Sequence, residues 1–146
     1  MSATELYNLI FPVLIAGSAL FAAAVGRGEE RAGAFLVMAA TVTSFGVQAL
    51  FGKVPLTAFL AIDLLALTGI IVLFLRSKLL WIGIAAVSQT LVLAFDATRY
   101  LDFPLTVNQF LLATNTAWLG VTLSLAGGAW ARRWGPQDEY ALDAAR

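Results

Sequence analysis

Five apolar runs separated by short breaks set the pattern of this chain, at residues 6–26, 32–51, 56–75, 79–100 and 105–130. At 1.5 Å per helical residue, a run of about 20 residues crosses the ~30 Å hydrocarbon core of a bilayer. The breaks are RGEER at 27–31, GKVP at 52–55, RSK at 76–78 and LDFP at 101–104. Connections this short join antiparallel neighbours. The predicted fold is therefore all-α: a polytopic integral membrane protein, an up-and-down bundle of five transmembrane helices over residues 1–131. Residues 132–146 form a short tail, in which Gly135, Pro136, Asp138 and Glu139 mark a helix start too brief to be stable alone.

Inside the runs, polar positions are few and periodic. The third run, LTAFLAIDLLALTGIIVLFL, holds one ionisable residue, Asp63, about 10 Å in from its Pro55 end. The second run carries Thr41, Ser44 and Gln48, the fourth Gln89 and Asp96, the fifth Asn108, Asn115 and Thr122. Spacings of three, four and seven place each set on one helix face. Lipid offers these groups no hydrogen bonds, so the stripes are expected to point inward, toward one another and toward Asp63. Two readings follow. Interhelical hydrogen bonds worth ~0.6 to 2 kcal/mol each would fix register in an apolar bundle. Alternatively, the same groups would line an outward-facing polar cavity in which Asp63 binds a proton or a cation.

Other positions refine this picture. Asp96 and Arg99 stand three apart near the outer end of the fourth run, as a local ion pair or a charged gate. Gly120, Ser124 and Gly128, four apart on the fifth run, are candidate helix-packing positions. Pro12 removes one backbone donor from the first run, giving either a local kink or a proline shielded by its neighbours. Ala22, Ala23 and Ala24 resemble a signal-peptide cleavage region, but Glu5 and the lack of a preceding Lys or Arg favour a retained first span.

Composition agrees with the pattern. Apolar types make up 60% of 146 residues and charged types 12%, against ~45 to 50% and ~25% in soluble domains. The chain has no cysteine and no histidine, which removes disulfides, thiolate nucleophiles and the commonest metal ligands. No metal site, no other cofactor and no catalytic residues are expected. Net charge is zero and the basic residues are scattered, so no nucleic-acid partner is expected either.

With five spans, Arg27, Arg31, Arg76, Lys78, Arg132 and Arg133 fall on one side, and only Lys53 and Arg99 on the other. The excess of basic residues predicts a cytoplasmic C-terminus and an outside N-terminus in a cell membrane of bacterial inner-membrane type. Trp81, Trp130 and Trp134 would form the cytoplasmic aromatic belt. The expected function is that of a small accessory or assembly subunit acting through helix packing within a larger membrane complex. The alternative is a small homo-oligomeric transporter or channel centred on Asp63. Both place the chain in a lipid bilayer, with a membrane-protein partner or further copies of itself.

Overall fold

The structure is a computed structural model that describes residues 3–51, 56–101 and 104–135, with side chains from Ile10 onward except at positions 45, 48, 51, 56, 99, 100 and 107. Among these residues the chain is all-helical: α1 (Ala3–Val25), α2 (Glu29–Phe51), α3 (Leu56–Ser77), α4 (Leu80–Tyr100) and α5 (Val107–Trp134). The tail expected to start a helix lies outside the described residues.

Local chemistry explains where the helices start and stop. α2 begins at Glu29 rather than near residue 32. Gly28 takes a φ of 48°, a left-handed turn that glycine adopts without strain, and the chain reverses there. Glu29 and Glu30 then occupy the first turn of α2, where negative charge matches the helix dipole. α5 opens with a reciprocal cap: Thr106 Oγ1 accepts from the Gln109 backbone N–H at 3.3 Å, and Gln109 Oε1 accepts from the Thr106 N–H at 3.0 Å. It continues to Trp134 because Arg132 and Arg133 sit favourably at its negative end. α1 runs through Pro12 as one continuous helix.

The helices form a ring in chain order, α1 on α2, α2 on α3, α3 on α4, α4 on α5 and α5 back on α1, with α2 also reaching α5 and α4 across the middle. We call the end holding the α1–α2 and α3–α4 turns the inner end. The inner half is closely packed by Ala22, Val37, Ile70, Ile82, Val121 and Leu125. Apolar side chains also cover the outside: Val13, Val42, Leu65, Val87 and Leu123, one from each helix, are all more than half exposed. A surface of that kind is stable in lipid rather than in water.

Among the described residues three helices are long and apolar enough to cross a membrane, Thr57–Ser77, Leu80–Thr98 and Asn108–Trp134, and Ile10–Val25 is a shorter apolar helix. α2, whose side chains at 45, 48 and 51 lie outside the described residues, is not among them. Among the described residues the structure thus shows a helical bundle with three candidate spans where five were expected, and it points to a membrane location.

Candidate functional site

Asp63, in the outer half of α3, is buried. Gln89 of α4, itself fully buried, donates from its Nε2 to Asp63 Oδ1 at 3.2 Å. Asp96 lies two turns further along α4 and is also buried. The Gln89 Oε1 has no partner among the described residues. An orphan acceptor of this kind costs about 1 to 3 kcal/mol, which is tolerable only where something else is gained.

Beside the acid pair lies a cavity of about 700 Å³ in the outer half of the bundle. α1 contributes Pro12 and Ile15, α2 Met38, Thr41 and Ser44, α3 Phe59 and Asp63, α4 Asp96, and α5 Phe110, Thr114, Asn115 and Trp118. Small residues, among them Ala16, Ala19 and Ser44, face this hollow. Its wall is aliphatic and aromatic apart from two carboxyls, one amide and three hydroxyls. The Thr41 hydroxyl donates back to the Val37 carbonyl at 2.9 Å, whereas that of Thr114 has no partner among the described residues.

The other polar positions singled out in the sequence are spread more widely. Ser44 and Asn115 border the cavity, but Asn108 is exposed near the start of α5. Thr122 is buried, and its hydroxyl lies 3.3 Å from the Trp118 and Leu119 carbonyls of its own helix. The side chains of Gln48 and Arg99 lie outside the described residues, so the pairing of Arg99 with Asp96 does too.

Along α5, Gly120 faces Ser88 of α4, Ser124 donates to its own Val121 carbonyl at 2.8 Å, and Gly128 lies directly under the Trp81 ring. A Cβ at Gly128 would overlap that indole, whereas one at Gly127 would meet nothing. Gly128→Ala is therefore expected to destabilise the protein by about 1 to 3 kcal/mol through overpacking. Gly127→Ala should stabilise it by about 0.5 to 1 kcal/mol through backbone entropy. Thermal unfolding in detergent checks the opposite signs.

A second polar cluster, at the inner end, escapes a reading of the sequence. Glu30 is fully buried. Its Oε1 accepts from the Trp81 indole N–H at 3.0 Å and from Arg132 Nε at 3.1 Å, and its Oε2 from Arg132 Nη1 at 3.4 Å. Glu29 adds a contact to the same guanidinium at 3.3 Å. Trp81, expected in an aromatic belt, thus turns inward and ties α4 to α2, while Trp130 and Trp134 remain exposed. An acid in a short turn reads as solvated. The available signal was topological, since an up-and-down bundle brings the start of α2 and the end of α5 to one membrane face, where Glu30 and Arg132 can meet.

Among the described residues no group of acidic side chains could hold a metal ion. No protein-family model, curated protein or solved structure matches the chain.

Proposed function

We propose that this is a small membrane protein that takes a largely apolar molecule with a positive centre into its outer cavity, in exchange for a proton carried by Asp63 or Asp96. The supporting observation is the cavity itself: about 700 Å³, walled by all five helices, with both carboxyls in its wall and no arginine or lysine among its lining residues. A cation placed there would take the place of a proton as the counter-charge of a carboxyl that no basic lining residue neutralises. Phe59, Phe110 and Trp118 supply aromatic surface of the kind that attracts cations. Asn115 and Thr114 add polar groups for orientation.

In this reading all five helices cross the bilayer, with the N-terminus outside and the C-terminus in the cytoplasm. The lengths of α1 and α2, 23 residues each, support it, as does the gathering of arginines at the inner end. The cavity then faces outward. Five helices are few for a complete transporter, and a homo-oligomer would supply the remaining wall of a path.

Calorimetric titration of the purified protein with tetraphenylphosphonium, in two buffers of different protonation enthalpy, tests the proposal. Saturable binding is expected, with release of about one proton per cation and an affinity that rises by up to about tenfold per pH unit. Non-saturable uptake, or binding without proton release, would refute it. The accessory-subunit reading retains one observation. Gly17, Gly46 and Gly127 face open space on α1, α2 and α5, where a helix of another chain could approach closely. A stoichiometric foreign chain copurifying in mild detergent, with no cation binding, would decide for it.

A further inference from the structure

At the inner end the chain builds a second, basic hollow. A pocket of about 330 Å³ is lined by Ala24 and Val25 at the end of α1, Arg27 of the following turn, Arg31 of α2, and Arg133 and Trp134 of α5. Three guanidinium groups share this small volume, and among the described residues none of them has a carboxylate within ion-pairing distance. The nearby acids, Glu29 and Glu30, are engaged by Arg132 instead. Like charges held together in this way are stabilised by an anion between them.

Arg31 is held in place for that role. Its Nε donates to the Ala23 carbonyl at 3.0 Å and its Nη2 to the Ala24 carbonyl at 3.4 Å. Those carbonyls belong to the last turn of α1, where the helix leaves acceptors unpaired and carries its negative dipole end. The planar fork of arginine, with five donors, matches the oxygens of a phosphate better than any other side chain.

An independent feature fixes the height of this hollow. Phe21 stacks on Trp130 at 6.3 Å and on Trp134 at 6.4 Å, and the two indoles lie 4.4 Å apart. Trp130 and Trp134 are 57% and 54% exposed. Exposed indoles at the ends of apolar helices lie at the level of lipid headgroups. Trp134 belongs both to this stack and to the basic pocket.

We propose that the hollow binds the phosphate of an anionic membrane lipid, with the Phe21–Trp130–Trp134 stack covering its glycerol and upper acyl chain. A zwitterionic lipid would bring a further positive charge to three arginines and is disfavoured. The assignment rests on the membrane location and is independent of what the outer cavity binds.

Native mass spectrometry of the full chain tests this after exchange into mixed micelles of phosphatidylglycerol and phosphatidylcholine with matched chains. Selective retention of phosphatidylglycerol is expected. The double variant Arg27→Gln/Arg133→Gln, which keeps Arg31 on its α1 carbonyls, should weaken retention by about tenfold per arginine removed. Its thermal midpoint in pure phosphatidylcholine should not change. Should the double variant fail to fold, the unaltered protein still decides. Raising the salt to about 1 M should release phosphatidylglycerol while leaving phosphatidylcholine unaffected. Equal retention of the two lipids, or retention indifferent to both arginines and salt, overturns the proposal. Inorganic phosphate displacing the lipid at equal concentration, with the same arginine dependence, would assign the site to a soluble phosphate and overturn the lipid.

Discussion

Asp63→Asn is expected to abolish proton-linked cation binding while leaving the bundle folded. Asparagine keeps the carbonyl oxygen that accepts from Gln89 Nε2, so the link between α3 and α4 is preserved. What disappears is the carboxyl that could carry a proton and, once that proton leaves, a negative charge. A charge-assisted contact in a site shielded from water is worth far more than one at a surface. The loss in tetraphenylphosphonium affinity should therefore reach about a hundredfold or more. Asp96→Asn keeps the Asp63 carboxyl that Gln89 holds in the cavity wall and should weaken binding about tenfold. Titration calorimetry reads both variants, with thermal unfolding as the check on folding. Wild-type affinity in Asp63→Asn would remove the acid pair from the binding function.

Arg132→Ala should produce the largest loss of stability. Glu30 is fully buried, and Arg132 supplies its only counter-charge among the described residues. Removing one partner of a buried pair leaves an uncompensated charge and costs about 3 to 5 kcal/mol. The indole N–H of Trp81 remains, but a single neutral donor does not replace a guanidinium. Arg133→Ala, one residue along α5 and without an ion pair among the described residues, should change stability in neutral detergent by less than about 0.5 kcal/mol. In the double variant Glu30→Gln/Arg132→Met both charges are gone, and most of the loss should be recovered, because a buried ion pair contributes little over neutral groups of similar size. Unfolding midpoints of the four proteins in one detergent would show this. If Arg132→Ala behaves like Arg133→Ala, Glu30 is not held as described.

The two clusters divide the bundle. At the inner end, Glu30, Trp81 and Arg132 join α2, α4 and α5 above a closely packed apolar core. The outer half holds the cavity and an acid pair with one orphan amide oxygen beside it. A rigid end and an open end suit a protein that admits a ligand at one side while its helices stay fixed at the other.

The element pattern was largely legible because it rests on a short-range rule: runs of about 20 apolar residues between polar breaks make helices, whatever surrounds them. The shifted ends of α2 and α5 show the limit of that rule. Glu29, Glu30, Arg132 and Arg133 look like turn residues by polarity, yet they are helical because dipole and ion-pair partners hold them there. Spacing also told which polar side chains share a face, but not how each helix is rotated or where a hydroxyl finds its acceptor. Thr41 and Thr122 illustrate the point, since both make hydrogen bonds within their own helices. A threonine in a helix always has the carbonyl four residues back within reach, and no sequence interval distinguishes that choice from a bond to a neighbour.

By itself, then, the sequence determined an all-helical chain too apolar for water, with a few acids and amides placed where burial makes them consequential. Only the tertiary structure decided that Asp63 meets Gln89, that one cavity opens beside both Asp63 and Asp96, and that Glu30 is answered by Arg132, 102 residues away. The physical reason is one of range. Helix formation and lipid preference are summed over neighbours along the chain, whereas the partner of a buried charge is set by helix rotation and by which side chains leave space between them.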